Sequence, residues 1–233
     1  QALAREALRL SFIQHKEFAV SLKGVQKKRT ISDTFDQSMS GETLVDMMKL
    51  NLLVGSGGVL SHAPRRNQAV RMLVDSFLPE GITELAVDSI FMMPQLGILS
   101  TFHEKAALEV FNKDCLIKLG TCISPCDNYK KNKILFKYSI TINEVVHEGI
   151  VNYGDLILIP AQLGKYSCII KPENNVDIGF GKGNNYEGMI HGGEVGIILD
   201  GRGRKINFEE NQNDRVNQII NWSVKTNEYN EEA

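Results

Sequence analysis

Apolar residues recur at helical spacing from the start of the chain: Leu3, Ala7, Leu10 and Ile13, then Phe18 and Leu22. Ala, Glu and Arg fill the gaps, so the period predicts one helix over residues 1–22, stopped by Gly24. Residues 25–40 are polar and read as loop or partly disordered sequence. A new element starts at Ser40-Gly41-Glu42-Thr43, and Leu44, Met47, Met48 and Leu50 lead into a short apolar strand, Leu52-Leu53-Val54. Pro64 and Arg65-Arg66 then precede a helix with Ala69, Val70, Leu73, Val74 and Phe77 on one face, ended by Pro79-Glu80-Gly81. A short strand is predicted at 85–87, an apolar helix at 92–99, and another helix at 106–116, broken at Gly120.

From Lys133 the period changes to two. Ile134, Phe136, Tyr138, Ile140 and Ile142 recur at every second position, with polar residues between them from Phe136 on, the mark of a half-buried strand. Further strands are predicted at 157–159, 166–170 and 195–199, between Gly, Asn and Pro turns. The reading is therefore an α/β part over 1–124, an all-β sandwich or barrel of five to seven strands over 133–208, and a short helix with an acidic, disordered tail over 209–233. The helix carries Val216, Ile219, Ile220 and Trp222. The boundary falls in 124–132, where Pro, Asp, Asn and Lys accumulate.

Composition narrows the function. A net charge of −2 over 233 residues, with one short basic cluster at 23–29, offers no phosphate-binding surface and argues against nucleic acid. No apolar run reaches the ~18 residues of a membrane span, so a cytoplasmic protein without a membrane partner is expected. Cys122 and Cys126 are a lone pair with no second pair at zinc spacing, so no metal is assigned and reduced thiols are expected. The chain opens on Gln1 in helical pattern and reads as a piece of something longer.

The chemistry centres on Val54-Gly55-Ser56-Gly57-Gly58-Val59-Leu60. Strand, glycine turn, helix lets phosphates or a sugar approach a backbone that has no Cβ in the way. The pattern lacks the third glycine of the dinucleotide fingerprint and the Gly-Lys-Ser/Thr of a P-loop, so a nucleotide contact and a tight structural turn both stand.

Longer words surround that turn: Val54 to Arg66, Leu85 to Leu99, Ala106 to Phe111, Leu119 to Pro125, Asn175 to Gly183, and Gly192 to Arg204. In that order and spacing they resemble the glutamate mutase accessory family MutL or GlmL, distinct from the mismatch-repair protein of the same name. The resemblance runs from about Ala19 to Arg204. It implies a branch of the superfamily of acetate and sugar kinases, heat-shock chaperone ATPases and actin, with this chain as a C-terminal portion holding the second lobe. It implies ATP or ADP with Mg in the full-length protein, and subunits of an adenosylcobalamin-dependent aminomutase such as glutamate mutase as partners. Gly57 and Gly58 would hold the nucleoside and α-phosphate, supported by Gly55 and Ser56. Gly97, in the Met93-Pro-Gln-Leu-Gly97 segment, would sit at a close crossing between lobes. The superfamily's first-lobe Asp-Gly-x-Thr turn has no counterpart before Gly24, so the chain alone would hold half a site and no ATPase activity. No Asp-x-His-x-x-Gly cobalamin motif is present.

Other residues carry two readings each. Arg65 and Arg66 either neutralise phosphate or start a helix toward solvent. Asp88 either contacts ribose or a cation, or caps the next helix. Ser61 and His62 either reach a ligand or are a cap and an exposed side chain. Gly179-x-Gly181-x-Gly183 is either an anion nest or an inter-strand loop, and Gly201-Arg-Gly-Arg204 a hairpin turn. The three functional readings are a reactivating or assembly factor, a non-catalytic interaction module, and a small-molecule kinase using Asp88 as base.

Overall fold

A computed structural model describes residues 1–19, 44–127, 129 and 133–229. The predicted stop at Gly24, the basic cluster at 23–29, the loop at 25–40, the start at 40–43 and the last four tail residues lie outside them. Helix α1 spans Ala2–Phe18, β1 Leu52–Gly55, α2 Gly58–Ser61, α3 Arg66–Phe77, β2 Gly81–Asp88 and α4 Met93–Val110. Then come β3 Leu116–Ser124, β4 Ile134–Ile142, β5 Val145–Asn152, β6 Leu156–Ile159, β7 Lys165–Pro172, β8 Tyr186–His191, β9 Gly196–Asp200 and α5 Gln212–Lys225.

The strands form two sheets. One has the order β1-β2-β3-β9-β6, parallel at β1/β2 and β3/β9 and antiparallel elsewhere. The other, β5-β4-β7-β8, is antiparallel throughout. Mixed α/β content, two sheets and a C-terminal helix match the broad expectation. The β-rich half, however, is not a self-contained sandwich or barrel, because β6 and β9 leave it to join β1–β3. The cause is legible in β9, where Gly196-Ile-Ile-Leu-Asp200 is buried at every position. A strand apolar on both faces needs a covered, interior place, and it finds one beside β3.

Each face of the five-stranded sheet buries a core. On one side Ile123, Ile159, Ile197 and Leu199 meet Phe136, Ile140, Cys168 and Ile170 of the antiparallel sheet. On the other, Leu85, Val87, Leu119 and Ile198 meet Ala69, Val70, Leu73 and Val74 of α3, with Trp222 of α5 closing the end. The predicted apolar face of α3 is thus the buried one. That of α1 is not: Leu3, Leu10, Ile13 and Phe18 are exposed, while Ala4 and Leu8 pack on the core. Two contacts to α3 set this rotation, Phe12 edge-on to Phe77 at 5.1 Å and Arg5 to Asp75 at 3.0 Å.

Two further expectations are corrected. The helices predicted at 92–99 and 106–116 are both present within Met93–Val110, separated by a non-helical His103 (φ −143°, ψ 69°), but the second gives way at Val110 to a wider turn, Phe111–Cys115. Leu116 already belongs to β3, and Gly120 lies within that strand at φ 139°. A Cβ there would stand 1.7 Å from the carbonyl oxygen of Gly196, so glycine is what allows β9 to lie against β3. Nor is 201–204 a hairpin turn. Its arginines turn inward, where Arg202 is 0% exposed in its side chain. Arg202 donates to Asp200 at 2.9 and 2.8 Å and lies 2.8 Å from Asp75, off the line of a hydrogen bond, while Arg204 reaches Asp200 at 3.2 Å. Arg71 joins Asp75 at 2.7 Å to the buried Glu228 at 3.1 Å.

Candidate functional site

The glycine turn lies at the carboxyl ends of β1 and β2. In that parallel pair the last rung is Gly55 with Val87, and Ser56 and Asp88 are the residues that follow its two members. Gly55 is fixed by packing, since a Cβ would meet Leu60 and Leu73 side chains at 2.8 and 2.9 Å. Gly57 is fixed by backbone. Its φ of 97° and ψ of 156° are a conformation open essentially to glycine alone. A Cβ on Gly57 would meet nothing within 4 Å, and one on Gly58 only the His62 ring at 3.9 Å. Backbone is therefore bare on the outer side of the turn. The Ser56 hydroxyl is buried there with no hydrogen-bond partner.

The surrounding side chains are more committed. Arg66 donates to the Ser61 carbonyl at 2.7 Å and pairs with Glu194 at 3.3 Å. Arg65 precedes α3 in extended conformation and makes an interaction of its own. The Ser61 hydroxyl donates to the Gly57 carbonyl at 2.9 Å, closing the turn on itself. Asp88 is fully buried and accepts from the amides of Ile90, Met92 and Met93 at 3.4, 3.3 and 3.2 Å. That is the capping geometry, achieved from ahead of α4.

The other glycine features lie elsewhere. Asp177 accepts from the Gly179 and Gly181 amides at 2.8 and 3.0 Å, filling that nest with the protein's own carboxylate. Gly97 faces open space. All four cysteines are free thiols, and burial pushes Cys122 up to about 12 and Cys126 up to about 11. Among the described residues no helix is long and apolar enough to cross a membrane. Sequence reasoning missed the Glu84–His191 pair at 2.7 Å, which joins β2 to β8 and leaves no signal in spacing.

Residues 1–115 match the family model described as MutL protein. The segment is MutL-family sequence. It holds the glycine turn, α3, Asp88 and α4, whereas the words at 175–183 and 192–204 lie beyond it. MutL here is the glutamate mutase accessory family, so association with that enzyme holds at the level of the family. No curated protein and no solved structure matches the chain.

Proposed function

We propose that this chain is the C-terminal part of an ATP-dependent reactivating or assembly factor for an adenosylcobalamin-dependent aminomutase, and that it supplies half of the nucleotide site in an actin-like second lobe. The MutL match across the turn carries the reading. The bare backbone at Gly57 and Gly58 and the spare Ser56 hydroxyl fit a nucleoside phosphate, and would hold it by close approach rather than by charge. ATP, when bound, would supply a phosphate whose loss distinguishes two arrangements of the lobes. Such a change would open a mutase stalled with damaged cobalamin. A kinase is disfavoured, because Asp88, its one candidate base, is spent on three amides. An interaction module without nucleotide is the second reading, favoured by the exposed Ile98 and Phe102 of α4.

The test uses the full-length protein with glutamate mutase inactivated by damaged cobalamin. Faster cobalamin release that requires both the protein and Mg-ATP is expected. Release at the same rate without them refutes the reactivation reading. Association with the mutase that ignores ATP would favour the interaction module.

A further inference from the structure

The segment between β2 and β3 is a helical arm whose two ends meet the sheet side by side. Asp88 and Leu116 are rung partners, so the arm leaves and re-enters the sheet at adjacent positions. Its feet are tied together there, the Ser89 amide and hydroxyl both donating to the Cys115 carbonyl at 2.8 and 2.9 Å. Beyond the feet, α4 buries only Leu96 and Ala107. Ile98 is 68% exposed and Phe102 77%. Phe91, at the first foot, has φ 56°, a left-handed conformation that a bulky residue takes only under constraint. His103 breaks the helix midway. What orients the arm is thus its root, and at the root the three amides of the first foot converge on the Asp88 carboxylate.

Asp88 directly follows Val87, the rung partner of Gly55, so Asp88 and the glycine turn start from the same end of the β1/β2 pair. Two negative charges brought close together in a buried setting repel strongly. We infer that Asp88 is a positioning residue linking the turn to the arm: an anion at Ser56-Gly57-Gly58 weakens its hold on the first foot and frees α4 to swing. This regulation rests on the nucleotide reading of the turn. It gives the bound phosphate a route to a distant surface through one buried carboxylate and a hinge at Ser89–Met92.

Hydrogen exchange of the full chain, with and without Mg-ADP, tests it, with binding followed by calorimetry on the same samples. A ligand that only stabilises its site slows exchange. The inference requires the opposite in the arm: at least tenfold faster exchange of the Ile90, Met92 and Met93 amides when Mg-ADP binds. Asp88→Asn should show that faster exchange without nucleotide and lose the response to it. Binding with slowed or unchanged exchange in the arm overturns the inference and leaves the nucleotide reading standing. No binding overturns both.

Discussion

Replacing Arg202 with Met removes the centre of the buried charge cluster while keeping most of the side chain's volume. The native guanidinium makes two hydrogen bonds to Asp200, an ion contact to Asp75, and lies 5.1 Å from the centre of the Trp222 ring. Without it Asp200 keeps, among the described residues, Arg204 and the amide of residue 202, and Asp75 keeps Arg71 and Arg5. Breaking a buried pair by removing one partner costs about 3–5 kcal/mol, because the stranded charge stays desolvated. For a chain of this size that corresponds to roughly 6–20 °C in Tm. Urea unfolding at pH 7 reads the loss through Trp222, the sole tryptophan, which Arg71, Arg202 and Phe208 surround. Adding Asp200→Asn removes the stranded charge, so the double variant should cost less than the sum of the singles by about 1–3 kcal/mol. A loss below about 1 kcal/mol for Arg202→Met, or strict additivity, would refute the view that this cluster ties α3, β9 and α5 together.

The same cluster sets the acid limit. Burial pushes Asp200 and Asp75 up, but Arg202 with Arg204, and Arg202 with Arg71, outweigh it and hold both below the usual carboxylate range. Carboxylates depressed by folding stabilise above their unfolded value, about 3.9, and that contribution is lost as pH falls from there through the depressed value. Tm should therefore hold between pH 7 and 5 and fall steeply below about pH 4, with Asp200→Asn flattening the fall. Gly120→Ala should leave little soluble protein on expression, since the new methyl lands on the Gly196 carbonyl; a folded variant with native Tm would contradict the β3/β9 pairing. Cys122 and Cys168, both buried and pushed up to about 12, should react with a thiol reagent at pH 8 only on unfolding in urea.

Elements whose burial is decided locally were legible in the sequence. The face of α3, the two-residue alternation of β4 from Phe136 to Ile142, and the strand–turn–helix at residues 52–77 follow from spacing alone, and the structure keeps them; at the start of β4 the pairing with β5 shifts register, so Leu135 is buried and Ile134 exposed. α5 begins at Gln212 because Asn211 accepts from the amides of Asn213 and Asp214 and caps it. What spacing cannot carry is the choice among distant partners. Helix α1 has apolar residues on more than one side, and Phe77 and Asp75 of another helix decide which side packs. Arg202 and Arg204 sit in a glycine-rich stretch, and charged residues are almost never fully buried unless paired, so an exposed turn was the default. Their burial depends on Asp75, supplied from far away in the chain. At the candidate site the turn was readable as a motif. The hold of Asp88 on the arm was readable only as a cap, since its closeness to the turn comes from the β1/β2 register.

The central claim is that the glycine turn receives a nucleotide. Calorimetric titration of Mg-ADP and Mg-ATP into the full-length protein tests it most directly, beside Gly57→Asp and Gly58→Asp. The second variant matters because Gly57→Asp forces a side chain onto φ 97°. Gly58, by contrast, opens α2 with free space around its Cα, where an acid suits a helix start. Micromolar binding in the parent, lost in a folded Gly58→Asp variant, is the predicted result. Binding that survives both substitutions, or no binding in the parent, would contradict it.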